Sequence, residues 1–386
     1  MSRSRNGSDR RRDVAFLLGA VLAACNGCAG AVGYGSPART PLLAVRYEVH
    51  SRQTVDTGER LAELARDFRE IRSVGFHAVW LDFATDDDRA PALEAGSSVG
   101  LRTILADSAI DRYARFGDLP PEFPSAQRLV LARAGPFFEP RGRAILALPP
   151  FSSGEVADRI IEIARICAAL EPPGEVLIVG HADDADRFAH FETVWYAAWS
   201  GTGTSCRCET PWPRMMQIIG GDSTTPAAWS ETVIRRAYFR GLAAGLTDGL
   251  LVWRYRSWPG ECNGIAEADG RLPPAATAAM KSLLQHARQC ASLAGAVCIE
   301  DDAASMESTR LHCASYRRES RRFVLVRNED TEHFGRGVLR IPAALGGEPV
   351  ARVVERETGT RYVRGDGPLT IPVQLAPAEA TLFEVH

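Results

Sequence analysis

The side chains that could do chemistry here are carboxylates and imidazoles lying just behind short apolar runs. Glu48 and His50 close the run LLAVRYEV, Asp82 sits near the end of AVWLDF, and Asp107 follows LRTILA. His181, Asp183 and Asp184 come after VLIV, and Asp222 comes after Met215–Ile219 and the pair Gly220-Gly221. A carboxylate can give or take a proton, and two of them flanking one bond can share the work of acid and base or nucleophile. On that logic Asp222 is the leading catalytic candidate, with Glu48 or Asp107 as its partner. His50, Asp82 and His181 are candidates for holding substrate by hydrogen bonds. Trp195, Trp199, Trp253, Tyr255 and Trp258 could stack on a substrate ring, and Trp253 and Trp258, with Arg254, are expected to contact substrate.

Each of these residues has a structural reading beside the chemical one. Asp222 in Gly-Asp-Ser-Thr-Thr suits a turn or cap. Ser152-Ser-Gly-Glu155 reads as a capping box ahead of an apolar helix, and Asp183 and Asp184 suit the start of another. His50, His181 and neighbouring acids offer a metal-assisted alternative, and Cys206-Arg-Cys208 is a thiol pair without nearby histidines. The expectation is therefore no metal site and no cofactor.

Strand ends are useful only if the strands converge. Leu42–Val49, Ala78–Phe83, Leu101–Ala106, Ala144–Leu148, Val176–Val179, Thr193–Ala198, Met215–Ile219 and Leu250–Tyr255 are short apolar or β-rich runs. Helical spacing separates many of them: Leu61, Leu64, Phe68 and Ile71 in the first connection, then segments over Pro91–Ser98, Arg128–Ala134, Glu155–Leu170 and the stretch through Val233, Ala237 and Leu242. A last helix is expected over Ala275–Ala294. Parallel strands need such crossovers, and eight of them over about 255 residues give the size and rhythm of a (β/α)8 TIM barrel. None of the first three strands is followed by a glycine-rich phosphate fingerprint, which argues against a dinucleotide fold. From Ala296 the pattern changes to short strands with Gly, Asn and Pro turns: Phe323–Arg327, Gly337–Ile341, Ala351–Glu355, Leu369–Val373 and Ala380–Val385. That predicts a small all-β sandwich over residues 296–386, after a barrel over 41–295.

The amino terminus reads as an address. Arg10-Arg11-Arg12 precede the apolar run Val14–Ala24, too short to span a bilayer, and Leu22-Ala23-Ala24-Cys25 resembles a bacterial lipobox. The expectation is a lipoprotein signal over residues 1–24, lipidation of Cys25, and a flexible tether over 25–40. That makes the protein an exported, membrane-anchored component of a bacterial cell envelope. A plain secretory signal is the alternative. In an oxidising compartment the nine cysteines invite pairing, with Cys206 or Cys208 to Cys262 and Cys298 to Cys313 as the expected bridges. Net charge is −3 with 24% charged residues, so no nucleic-acid partner is expected.

The order of these pieces resembles exported glycoside hydrolases built on a (β/α)8 barrel with two catalytic glutamates. The export signal, the barrel and the terminal sandwich come in that order; GLTDGLLVWRYRSWPG (245–260) resembles the last helix-to-strand passage, and FVLVRNEDTE with GVLRIPAALGG resembles the trailing sandwich. The resemblance implies a carbohydrate partner and hydrolysis of a glycosidic bond. It also implies a glutamate acid/base at the end of strand four and a glutamate nucleophile at the end of strand seven. This sequence has Pro149-Pro150 and Ile218-Ile219-Gly220-Gly221 there, so the catalysts are displaced or the chain is a non-catalytic glycan-binding or scaffold lipoprotein.

Overall fold

In a computed structural model, described over residues 40–49, 57–83, 89–138, 144–151, 154–199, 213–220, 230–256, 264–267 and 270–386, eight parallel strands close into a barrel in sequence order. They are β1 (Leu42–Val49), β2 (Ala78–Phe83), β3 (Arg102–Ala106), β4 (Ile145–Ala147), β5 (Glu175–Gly180), β6 (Val194–Trp199), β7 (Arg214–Ile219) and β8 (Gly249–Val252). The (β/α)8 architecture expected from the sequence is the one observed. Strand six, the weakest run in the sequence, pairs with both neighbours over five positions each.

Alternation along each strand explains why these runs form a barrel. One parity faces the lumen, where Leu42, Ala44, Ala78, Trp80, Ile104, Ile145, Leu177, Trp195, Met216 and Leu251 pack on one another. The other parity, with Leu43, Val45, Tyr47, Val79, Leu81 and Leu105, packs outward against the helices. Both faces are buried, as in all-parallel sheets generally, so the strands read as continuous apolar runs.

The helices that cover the barrel include α1 (Thr57–Val74), α2 (Arg89–Ser98), α3 (Ser108–Phe116), α4 (Ala126–Ala134), α5 (Glu155–Ala168), α6 (Glu231–Ala243) and α7 (Pro274–Gln289). Helix α3 is absent from the sequence reading. It is capped at its start by Asp107, whose Oδ1 accepts from the Ala109 and Ile110 amides at 3.0 Å each, and it ends at Gly117, whose φ of 76 suits glycine. After β5 the expected helix is a 3-10 turn, Ala182–Phe188. Of the expected capping box at Ser152 and Glu155, Ser152 lies outside the described residues; the N-cap of α5 is Gly154, with no side-chain cap bond, and the Glu155 carboxylate is exposed beside Arg159 at 3.2 Å. Among the described residues no helix is long and apolar enough to cross a membrane.

The carboxy-terminal β region holds a six-stranded sheet in the order β17 (Arg361–Val363), β16 (Arg352–Glu355), β19 (Ala380–Val385), β12 (Arg321–Asn328), β11 (Leu311–Arg318) and β9 (Val297–Ile299). It faces a three-stranded sheet of β10 (Ser305–Glu307), β13 (Gly335–Ile341) and β18 (Leu369–Leu375), and β14 (Ala344–Leu345) pairs with β15 (Glu348–Pro349) in a short hairpin. Between them lies a core of Val324, Val326, Leu339, Ile341, Ile371, Phe383 and Val385. The opposite face of the larger sheet, carrying Tyr316, Phe323, Leu325 and Leu382, belongs to the barrel's own hydrophobic cluster. Burying each of these large side chains is worth about 2 kcal/mol. The Tyr316 hydroxyl adds a hydrogen bond to the Leu242 carbonyl at 2.7 Å, and Arg240 on α6 meets Glu329 at 2.9 Å.

The expected Cys298–Cys313 bridge is not formed; both thiols are free. Cys298 sits opposite Tyr316 on β11, three residues from Cys313, which at ~3.4 Å per residue is about 10 Å along the strand, beyond disulfide reach. The two thiols also face different cores, one toward the barrel and one into the sandwich. Cys206, Cys208 and Cys262 lie outside the described residues, as do Cys25 and the whole of residues 1–39.

Candidate functional site at the barrel mouth

The carboxyl ends of β1, β2, β6 and β8 bring together a cluster of charge and indole. Leu42, Ala44, Arg46 and Glu48 share one parity of β1, and Ala78, Trp80 and Asp82 share one parity of β2. Since Leu42, Ala44, Ala78 and Trp80 pack in the lumen, Arg46, Glu48 and Asp82 continue the same face toward the mouth. The register places Arg46 beside Trp80 and Glu48 beside Asp82.

Arg46 is the hub. Its guanidinium pairs with Asp82 and lies 3.5 Å from Glu48, and it stacks over Trp253 at 4.4 Å and Trp80 at 5.5 Å from the ring centroids. Arg254, just past β8, approaches Glu48 at 3.6 Å. The indoles meet edge to face: Trp80 and Trp253 at 5.7 Å and 87°, Trp199 and Trp253 at 5.1 Å and 61°. Trp199 donates its Nε1–H to the Gly220 carbonyl at 3.2 Å. With 44% of its surface exposed, Trp199 offers the open aromatic face, whereas Trp253 has one face covered by Arg46. Two donors at this floor, Trp80 Nε1 and Arg46 Nε, are buried and have no hydrogen-bond partner among the described residues. A buried unpaired donor costs about 1–3 kcal/mol, which an acceptor entering the mouth would recover.

Of the residues singled out in the sequence, Glu48, Asp82, Trp253 and Arg254 are thus gathered at one place. Asp107 is not free for chemistry there. It is almost fully buried, caps α3 through Oδ1, and receives Arg133 Nε on Oδ2 at 3.0 Å; its carboxylate does the work of a helix cap. His181 is exposed, and its backbone carbonyl accepts from the Tyr196 hydroxyl at 2.9 Å. Asp184 faces Arg187 at 3.8 Å, and among the described residues no three His, Cys, Asp or Glu side chains gather as a metal would require. His50, Asp222 and Trp258 lie outside the described residues. Trp199 stands among the aromatic residues singled out in the sequence; Arg46 and Trp80 do not, although parity along LLAVRYEV and AVWLDF already puts Arg46 with Glu48 and Trp80 with Asp82.

The positions where the resemblance asks for glutamates have a clear geometry. β4 ends at Ala147, whose side chain lies in the lumen, so Pro149-Pro150, where the resemblance asks for the first glutamate, come just beyond the strand. Gly220 follows β7 with φ 84, a left-handed backbone that a glutamate would adopt only under strain.

No protein-family model matches the chain, and no curated protein matches it by sequence. Solved structures do match by shape. An α-amylase from Geobacillus thermoleovorans in complex with acarbose is 11% identical over 89% of this chain and 98% of its own, with a TM-score of 0.53. AmyP in complex with maltose is 11% identical over 89% of this chain and 96% of its own, with a TM-score of 0.52. A glycoside hydrolase family 5 protein from Bacteroides vulgatus is 10% identical over 91% and 92%, with a TM-score of 0.50. The chain shares the glycoside hydrolase-like (β/α)8 fold. At this identity the likeness is one of fold, and the site must be argued from its own residues.

Proposed function

We propose that this protein binds carbohydrate at the mouth of its barrel and acts as a glycan-binding lipoprotein of the cell envelope. The observation that carries the reading is the indole corner of Trp80, Trp199 and Trp253 built around the Arg46–Asp82–Glu48 network. An exposed indole stacks on the apolar face of a pyranose, while carboxylates and guanidinium groups beside it pair with hydroxyls. The unpaired donors at the floor favour a ligand rich in acceptor oxygens. The shape neighbours include proteins solved with acarbose and maltose, which is consistent with this class of ligand.

Hydrolysis is the second reading, favoured by one observation: Glu48 and Asp82 are register partners on adjacent strands, about 4.8 Å apart in backbone spacing. Two carboxyls of a glycosidase flank the scissile bond roughly 5–10 Å apart. Against that, these two stand side by side on one wall and both are tied to arginine. Asp222 remains the candidate for a partner carboxylate from the loop after β7.

Screening the full-length protein against a glycan panel and chromogenic glycosides separates the readings. Binding without turnover, weakened by Trp199→Ala, supports the first. Turnover abolished by Asp222→Asn or Asp82→Asn supports the second, and neither binding nor turnover would refute both. Export and anchoring rest on the lipobox-like Leu22–Cys25. Labelling with a radioactive fatty acid, lost on Cys25→Ala, tests them; an unlabelled protein would leave the plain secretory signal.

A further inference from the structure

A cavity of about 320 Å³ lies where the barrel's helices meet the larger sheet of the carboxy-terminal β region. That is at the small end of the range that ligand sites occupy, and junctions of this kind are where such sites form. Its floor is apolar, built from Phe239 on α6, Leu325 on β12 and Leu382 on β19. Its polar lining comes from both sides: His286, Arg288 and Gln289 from α7, Arg356 and Glu357 from the turn after β16, and Thr381 from β19; the Arg288 guanidinium is engaged by the Gly75 carbonyl, to which it donates at 3.1 Å.

The hydrogen-bonding capacity of these groups is mixed in sign. Burial, with Arg235 nearby, lowers the affinity of His286 for a second proton, so the ring is neutral at pH 7. Its Nδ1 lies 3.1 Å from Gln289 Oε1; that oxygen only accepts, so Nδ1 carries the proton and Nε2 is left as an acceptor. The Gln289 amide then has its NH2 donors available. Arg356 uses one guanidinium nitrogen on Glu384 at 3.0 Å, and Thr381 donates to Glu355 at 3.0 Å while its oxygen can still accept. Glu357 makes no hydrogen bond or ion pair among the described residues. Donors and acceptors thus alternate around an apolar floor. An anion would meet the His286 lone pair and Glu357, and a cation would meet Arg356. A hydroxyl, which both gives and accepts, meets a complement at each point.

We propose that this junction cavity is a second binding site, separate from the barrel mouth, for a neutral polyhydroxylated ligand the size of a mono- or disaccharide. It rests on the carbohydrate reading only for its ligand class. Because one wall belongs to the barrel and the other to the β region, occupancy also ties the two together and raises their common melting temperature.

Hydrogen exchange of the full-length protein with and without millimolar glucose and maltose tests it. The expected result is ligand-dependent protection of residues 286–290 and 354–357, with a saturable rise in melting temperature. Gln289→Ala or Glu357→Gln is expected to weaken that protection at least tenfold in ligand concentration while leaving any protection at 194–199 unchanged. Trp199→Ala should do the converse. Protection confined to the mouth, or protection at the junction unmoved by both junction substitutions, would overturn the second site and leave the mouth reading intact. Protection confined to the junction would overturn the mouth reading instead. No protection anywhere would overturn the junction site outright.

Discussion

The two ends of the barrel are built from the same kinds of residue and arranged to opposite effect. At the amino end, Glu175 on β5 is held by Arg102 on β3 at 2.6 Å and Arg214 on β7 at 3.3 Å, and it accepts from Trp195 Nε1 at 2.7 Å. Arg214 in turn stacks over Trp195 at 4.7 Å. Burial pushes Glu175 toward protonation, but the two guanidinium groups and the indole N–H outweigh it, and its pKa lies below the ordinary carboxylate value. The carboxylate is thus enclosed by donors and seals the barrel floor. At the carboxyl end the Arg46–Asp82–Glu48–Arg254 network carries charges of both signs, Trp80 Nε1 and Arg46 Nε have no hydrogen-bond partner among the described residues, and Trp199 is open to solvent. A closed polar cluster is a structural plug; we read the open one, beside the exposed Trp199, as a place for a ligand. The same distinction separates conserving stability from doing work in barrels generally, where sites occupy the carboxyl face.

The largest test of that contrast is Glu175→Ala, which removes the carboxylate that two partly buried guanidinium groups and the Trp195 indole share. It is expected to cost about 1–3 kcal/mol of stability, measured by denaturant unfolding, with glycan affinity of the remaining folded protein unchanged. Loss of affinity at retained stability would erase the difference between the ends. Next is Asp107→Ala. Removing a helix cap costs about 1–2 kcal/mol, and ligand binding or turnover should stay within twofold; a stable variant without activity would return Asp107 to the site. Trp199→Ala should weaken glycan binding at least tenfold, or about 1.4 kcal/mol, while changing stability by less than about 0.5 kcal/mol. The smallest effect concerns the barrel-to-sheet contact. Burial raises the Glu329 pKa, but Arg240 and Arg327 dominate and bring it from 4.5 to about 2. Its contribution, under about 1 kcal/mol for a partly exposed pair, is therefore present above pH 4.5 and lost as the pH falls toward 2. Melting curves of Glu329→Gln should lie below wild type at pH 7 and converge with it near pH 2.

Much of the frame was legible in the residues. The runs AVWLDF, VLIV and MMQII are buried on both faces, so their apolar character is continuous and their number is that of the strands. Helix α3 escaped because its strongest signal, Asp107, reads equally as a strand-end acid; the two uses differ only in whether the amides of residues 109 and 110 reach back to it. The cystine expected between Cys298 and Cys313 failed because sequence spacing does not report register, and pairing places Cys298 opposite Tyr316. Arg46 went unnoticed inside LLAVRYEV because a single charge in an apolar run looks like an interruption. Its parity with Glu48 is what makes it the hub. Gly220 stands where the resemblance asks for a glutamate, and its φ of 84 is a backbone conformation that disfavours any side chain.

We propose that the mouth binds carbohydrate through Trp199 and the Arg46–Asp82 network. The most direct test is tryptophan fluorescence of the full-length protein titrated with α- and β-linked gluco-oligosaccharides, comparing wild type with Trp199→Ala, Asp82→Asn and Gln289→Ala. The account predicts a saturable change in wild type and Gln289→Ala that weakens at least tenfold in both mouth variants. No saturable response to any oligosaccharide, or a response that both mouth variants retain in full, would contradict it.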